Sequence, residues 1–233
     1  TKRGKGAKPT VSIKGQYGFS QPALPTTEMM STSQYYDLWK TIAPNADLSI
    51  IKQYMDMGIN TNWQDYFLKD NAPTWQLDAS ITGVSKNTNY FISASHYDQE
   101  GVEPASGMKR ETLRSNIDTK VFDWLRVGVN LGLSYEDYET NNFATKGNNP
   151  YNVATLSRWA LPWETPYEIV DDGNGNWHYG DRKDLLDVLG LWNPYYLLEN
   201  QPAEKNKIRL YGNMFEELTP VKGLTIRASQ ALD

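Results

Sequence analysis

The sequence predicts an all-β fold, an antiparallel meander of about seven strands of bilayer-crossing length that forms part of a transmembrane β-barrel. Three observations carry this. First, Leu125, Val127, Val129, Leu131, Leu133 and Tyr135 alternate with Arg126, Gly128, Asn130, Gly132 and Ser134. A period of two puts the first set on one face of a strand and the second on the other. The apolar face is unbroken over about eleven residues, the length a tilted strand needs to span hydrocarbon. Second, neighbouring segments repeat the pattern. Third, their connections alternate between short turns and long loops, as in membrane barrels. Taken alone, the Leu125 strand is better explained by a soluble sheet with one face in a core. Its neighbours tip the balance.

The elements follow in order. Thr1 to Lys8 holds four cations and two glycines and reads as a linker. Pro9 to Ser20 alternates Val11, Ile13, Tyr17 and Phe19 with Ser12, Lys14 and Gln16, a first strand. Gln21 to Thr27, with Pro22 and Pro25, is an extended loop. Ser31 to Ile42 has Tyr35, Leu38, Trp39 and Ile42 at helical spacing, a serine to cap it and Pro44 to stop it. A second short helix covers Leu48 to Met57, ended by Gly58. These helices belong to an excursion over residues 21–74. Trp75, Leu77, Ala79 and Ile81 then alternate with Gln76, Asp78, Ser80 and Thr82. After a turn at Ser85 to Thr88 the next strand runs from Asn89 to Tyr97. A longer loop with Gly101, Pro104 and Gly107 leads to a strand at Met108 to Thr119. The turn Lys120 to Asp123 opens the Leu125 strand.

Residues 139–206 break the pattern with many Gly, Pro, Trp and Tyr. A structureless loop of that length is improbable in a compact soluble domain and ordinary in an outer excursion of a large barrel. Within it, Asn152 to Trp159 suits a short helix. Ile169 to Tyr179 suits a hairpin turning on Gly173 to Asn176. Ile208 to Met214 and Leu224 to Ala228 are two further strands around a turn at Thr219 to Gly223. An odd strand count points to an incomplete barrel.

Composition narrows the classes. Lys plus Arg number 23 against 28 Asp plus Glu, a net charge of -5, which argues against a nucleic-acid binder. There is no cysteine, so disulfides, thiolate metal sites and cysteine catalysis are excluded. No run of about eighteen apolar residues marks a transmembrane helix, which does not bear on barrels. The two histidines, His96 and His178, are far apart in sequence and form no His-x-x-x-His pair, so a catalytic zinc site is not expected. Asp171, Asp172, Asn174 and Asn176 lack calcium-loop spacing and are better read as a turn. No nucleophile-elbow motif is present. The neighbouring carboxylates Glu100 with Glu103 and Glu136 with Asp137 do not imply the facing pair that glycosidases use. No cofactor, metal site or enzymatic activity is expected.

Several segments resemble one family. Thr88-Asn89-Tyr90-Phe91-Ile92-Ser93 through Tyr97-Asp98-Gln99-Glu100-Gly101 is similar to the "TNYYVSGGYFDQEG" signature of SusC/RagA-type transporters, TonB-dependent outer-membrane proteins of Bacteroidetes-type bacteria. It departs at Ala94-Ser95-His96, where the family carries glycines and an aromatic residue. Thr1-Lys2-Arg3-Gly4 resembles the end of "GVVLITTKRG", which closes the plug domain. Trp63 to Leu68 resembles "DWQDEVF". Lys109-Arg110, Asn116-Ile117-Asp118, Asp123-Trp124-Leu125 and Thr219 to Thr225 also fit the pattern.

The resemblance implies that residues 1–8 link from a plug and 9–233 form the early barrel, with 21–74 and 139–206 as extracellular excursions. It implies a bacterial outer-membrane importer of oligosaccharides or peptides. Its partners would be outer-membrane lipid, a SusD-like surface lipoprotein and the TonB system, reached through an upstream region. The competing reading is a soluble or surface-attached β-rich carbohydrate-binding module; a glycoside hydrolase is a weaker third. Candidate ligand- or partner-binding residues are Trp159, Trp163, Trp177 and Trp192, against the plainer expectation that they build the loop itself. Arg110, Arg114, Arg126, Asn130 and Arg209 are expected to face the lumen, serving solvation and plug contact before substrate binding.

Overall fold

The computed structural model describes residues 8–23, 28–140, 153–187, 190–200 and 203–233. Most of the linker, residues 24–27 of the first loop, and Gly147, Pro150, Tyr151, Asn152 and Pro202 of the long segment lie outside them.

Seven strands form one sheet in the order β1 (Thr10–Ser20), β2 (Ala72–Ser85), β3 (Thr88–Glu100), β4 (Gly107–Phe122), β5 (Leu125–Thr140), β8 (Ala203–Val221) and β9 (Leu224–Leu232). Every pair is antiparallel and sequential strands are neighbours, an open meander. β6 (Tyr167–Asp171) and β7 (Trp177–Arg182) pair separately.

The strands run longer than the alternation alone indicates. β2 begins at Ala72, so the first excursion ends before residue 74. β4 continues to Phe122 and β8 to Val221, each with a register shift near its end. The reversals are therefore tighter than expected: Lys86-Asn87, Asp123-Trp124 and Lys222-Gly223. Cross-strand bonding carries each ladder past the end of the regular alternation until the backbone must reverse. Lys86 does so at a φ of 45° and Gly223 at 92°, where glycine is favoured.

All three tight turns lie at one end of the sheet. At the other end stands a lobe built from both long segments. α1 (Thr32–Ile42) is capped by Ser31: its Oγ accepts from the Gln34 N–H at 3.2 Å, and the Ser31 N–H donates to Gln34 Oε1 at 2.8 Å. α2 (Ser49–Asp56) ends before Gly58, whose φ is 75°. α3 (Trp63–Phe67) and α5 (Pro194–Asn200) were not expected as helices, being too short to show a periodicity. α4 (Val153–Trp159) and the β6–β7 hairpin match expectation in place.

The core sits in this lobe. Trp63, Phe67, Ala160 and Leu186 form a buried cluster with Tyr66 and Tyr195 against it. Leu156, Trp163 and Leu197 are also buried. The lobe is stitched across long sequence distances: Trp63 Nε1 donates to Leu161 O at 3.0 Å, Tyr195 Oη to Tyr66 O at 2.6 Å, and the Thr61 N–H to Pro162 O at 2.7 Å. Residues 153–187 and 190–200 are thus structured. Lys69 joins the lobe to the β3–β4 loop through a backbone bond to Val102 O of 2.8 Å and an ion pair with Glu100 at 2.9 Å. In the sheet, by contrast, Ala72 and Phe215 are the buried apolar residues among those described.

Candidate functional site: a polar concave wall with an apolar back

Register fixes which side chains share a face. Four successive rungs on one face read Thr82, Phe91, Asn116, Asn130, Asn213; Ser12, Ser80, Ser93, Arg114, Gly132, Tyr211; Lys14, Asp78, Ser95, Thr112, Ser134, Arg209; and Gln16, Gln76, Tyr97, Arg110, Glu136, Lys207. The sheet curls toward this face around a concavity of about 1500 Å³ lined by most of these groups. Arg110, Arg114, Asn130 and Arg209 all line it.

Their polar atoms are engaged in different ways. Asn130 Nδ2 donates to Asn213 Oδ1 at 2.6 Å. Arg110 lies over the Tyr97 ring, 5.3 Å from its centroid. Arg209 lies over Tyr211 at 5.5 Å and pairs with Asp233. Lys207 is 3.8 Å from Glu136. Arg126 sits nearer the tight turns on the same face. It forks the buried Asp118 at 2.7 and 2.5 Å and lies 3.8 Å from Glu217. Arg126 and Arg227 flank the Phe215 ring at 5.9 and 4.2 Å.

Glycines on β5 make room for this layer. A Cβ on Gly128 would stand 1.9 Å from the Phe215 ring, and one on Gly132 2.4 Å from Tyr211. Each glycine lets an aromatic side chain from β8 lie flat on the wall, covering backbone that would otherwise face the concavity.

The opposite face is apolar and open. Ile13, Leu113 and Leu210 stand side by side across the sheet on one rung with Ala79, Ala94 and Leu133, and are 71, 50 and 48 % exposed. Burying three such residues is worth about 1.5–3 kcal/mol each, so a sheet in water would not leave them out. Nothing among the described residues covers this face. The distribution is inside-out relative to a water-soluble sheet: polar groups hold the concave, sheltered side and aliphatic groups the outer one.

The tilt of the strands agrees. On the rung through Asn130, Phe91 is three residues above the start of β3, Asn130 five above the start of β5, and Ala231 seven above the start of β9. The turns thus step by two residues for every two strands. With about 3.3 Å per residue and about 4.8 Å between strands, turns lying in one plane put the strands about 35° from the normal. Membrane barrels tilt their strands by about 35–45°.

Trp75 and Tyr135 each stand ten residues from the tight-turn end of their strand. At that tilt ten residues rise about 27 Å, close to the ~25 Å apolar band of such barrels. Aromatic residues mark both edges of the band. Phe122 and Trp124 stack at the tight-turn edge, centroids 5.3 Å apart. Tyr17 and Phe19 meet edge to face at the other. There Trp75 packs on His96 at 4.4 Å, and His96 Nδ1 bonds Glu111. Glu216, exposed on the outer face, interrupts the apolar band.

The four candidate tryptophans diverge. Trp163 is 4 % exposed and packs edge-on against Tyr35 at 4.8 Å, so its ring is not presented to a ligand. Trp177 donates from Nε1 to Met57 O at 3.1 Å and meets Tyr179 edge-on, tying the hairpin to α2. Trp159 is exposed. Trp192 is exposed and stacks on Tyr196 at 5.0 Å with planes 11° apart. The structure does not gather the four into one surface cluster. Asp172 is consumed by its own turn, accepting from the Asn174 and Asn176 N–H groups at 2.8 and 3.1 Å and from Asn176 Nδ2 at 3.0 Å. These bonds hold its carboxyl below the usual range.

Comparison with known proteins places this architecture. No family model matches the chain. TonB-dependent receptor P26 of Formosa agariphila is 37% identical over 176 residues, 75% of this chain and 16% of that protein. TonB-dependent receptor SusC of Bacteroides thetaiotaomicron is 31% identical over 136 residues, 56% of this chain and 12% of that protein. The chain therefore spans less than a fifth of the length of either. Among solved structures, a chain of the RagAB peptide transporter superposes with a TM-score of 0.74 at 23% identity, covering 99% of this chain and 28% of that one. That likeness speaks for the fold. By its sequence matches, with the fold in agreement, the chain belongs to the TonB-dependent receptors of the SusC/RagA type.

Proposed function

We propose that the protein is a TonB-dependent importer of the bacterial outer membrane and that this chain supplies early strands of its barrel. The observation that carries the reading is the inside-out sheet: an apolar outer band about 27 Å tall, at a tilt of about 35°, backed by a polar concave wall. Open sheet edges are not tolerated in hydrocarbon, so β1 and β9 would be joined by further strands. The concave wall then faces the lumen, with Arg110, Arg114, Arg126, Asn130 and Arg209 inside. Residues 1–8 would link from a plug, and 9–233 would be barrel with its excursions.

Orientation follows from the turns. Short turns lie at the periplasmic end of such barrels. Lys86-Asn87, Asp123-Trp124 and Lys222-Gly223 therefore face the periplasm, and the lobe faces the cell surface. There it would meet a SusD-like lipoprotein acting as a lid. Substrates would be oligosaccharides or peptides, with energy delivered through TonB. The exposed Trp159 and Trp192 remain as candidates for ligand or lid contact. The test is extraction of the full-length receptor from its native cells. It should leave the membrane with detergent and not with high salt or alkali. A protein recovered in solution without detergent would sink the proposal.

A further inference from the structure

Five cations line the concave wall, and four have a compensating group at hand. Arg209 pairs with Asp233, Lys207 is 3.8 Å from Glu136, and Arg110 lies over Tyr97. Lys14 stands directly across from Asp78. Arg114 differs. Among the described residues no carboxylate, ring or carbonyl engages its guanidinium, and its side chain is exposed within the concavity. Its rung holds Ser12, Ser80, Ser93, Gly132 and Tyr211, with no acid. On its own strand the next inward residues are Thr112 and Asn116. Small hydroxyl side chains stand on one side, and on the other Gly132 is covered by the Tyr211 ring, whose phenol end reaches over the glycine.

We propose that Arg114 is the centre of a carboxylate-binding subsite on the concave wall, with the Ser93 and Thr112 hydroxyls beside it. A guanidinium offers two parallel N–H donors that match the two oxygens of a carboxylate, and neighbouring hydroxyls can donate to the remaining lone pairs. In a sheltered polar concavity such a pair is screened less than on an open surface. The carboxylate has two possible sources. It is carried either by a polypeptide segment lodged in the concavity or by a diffusible anionic ligand passing along the wall. The inference rests on the barrel reading, because only a closed barrel makes this wall an interior.

The test uses the full-length receptor in detergent, wild type against Arg114→Gln, with two readouts. One is the unfolding midpoint without ligand at low and high salt. The other is binding of acetyl-triglutamate amide, with acetyl-triglutamine amide as the neutral control. A lodged carboxylate lowers the midpoint of the variant by at least about 2 °C and removes part of the salt sensitivity of the wild type. A diffusible carboxylate leaves the midpoint alone and weakens triglutamate binding about tenfold or more, with triglutamine unaffected. If neither readout responds, the subsite does not exist. Should Arg114→Gln fail to assemble, Arg114→Lys serves in both readouts. It keeps the charge and loses the fork, so a smaller loss on one readout supports the subsite and none on either refutes it. A receptor that is soluble without detergent refutes the barrel reading. A detergent-requiring one indifferent to Arg114 refutes this inference alone.

Discussion

Replacing Val129 by arginine should be costly, and replacing its neighbour Asn130 should not. Val129 lies on the outer face of β5, paired with Ile117 on β4 and Met214 on β8. It is four residues above the start of β5 and six below Tyr135. At about 3.3 Å per residue and a tilt of about 35° this is about 11 Å into a 27 Å band, near the bilayer midplane. An arginine there costs about 2–4 kcal/mol. Asn130 lines the concavity and loses one 2.6 Å bond to Asn213 on substitution. That costs about 1 kcal/mol, and the new charge stays in a polar space. The two variants should therefore differ by about 1–3 kcal/mol despite being adjacent. Urea unfolding of the full-length receptor in lipid vesicles, followed by tryptophan fluorescence, reads the difference. Equal costs would refute the assignment of faces, because the alternation is the whole basis for distinguishing them.

Other expectations follow from local geometry. Gly128→Val should destabilise by about 1–3 kcal/mol in the same assay, since its side chain would enter the Phe215 ring; a neutral result would mean that the aromatic residue does not lie on the glycine. Burial pushes the Tyr195 hydroxyl up to about 12 from an ordinary value of 10.0. Its contribution to lobe stability is full below the unfolded value and lost as pH rises through the folded one. The lobe should thus loosen between about pH 10 and 12, and Tyr195→Phe should flatten that loss in fluorescence melts; an unchanged profile would count against the buried placement. An epitope tag at Asn174, in the exposed β6–β7 turn, should bind antibody on intact cells; labelling confined to permeabilised cells would reverse the orientation.

The sheet was legible because a period of two survives in single strands. Leu125 to Tyr135 alternates without a break, and the register puts its apolar set on one face, as the pattern requires. The turns are tighter than the alternation indicates, because the ladder continues through Phe122 and Val221 after the alternation ends. The lobe was less legible for a different reason. Its core joins Trp63 and Phe67 to Ala160 and Leu186, about a hundred residues away, and short helices carry too few turns to show a stripe. Trp163 and Trp192 look alike in sequence, yet tertiary packing buries one and leaves the other exposed. The glycine-on-aromatic contacts of β5 with β8 were also hidden. Gly128 and Gly132 read as small polar-face residues until the register sets Phe215 and Tyr211 opposite them.

The central claim is that the apolar face of this sheet meets lipid and the polar face does not. Single spin labels placed at each position from Leu125 to Tyr135 in the full-length receptor, reconstituted in vesicles, test it directly. Collision with oxygen, which concentrates in hydrocarbon, and with a water-soluble nickel chelate is measured at each site. The account predicts oxygen maxima at Leu125, Val127, Val129, Leu131, Leu133 and Tyr135, with minima at the residues between. Nickel maxima at those six positions, or profiles without a period of two, would contradict it.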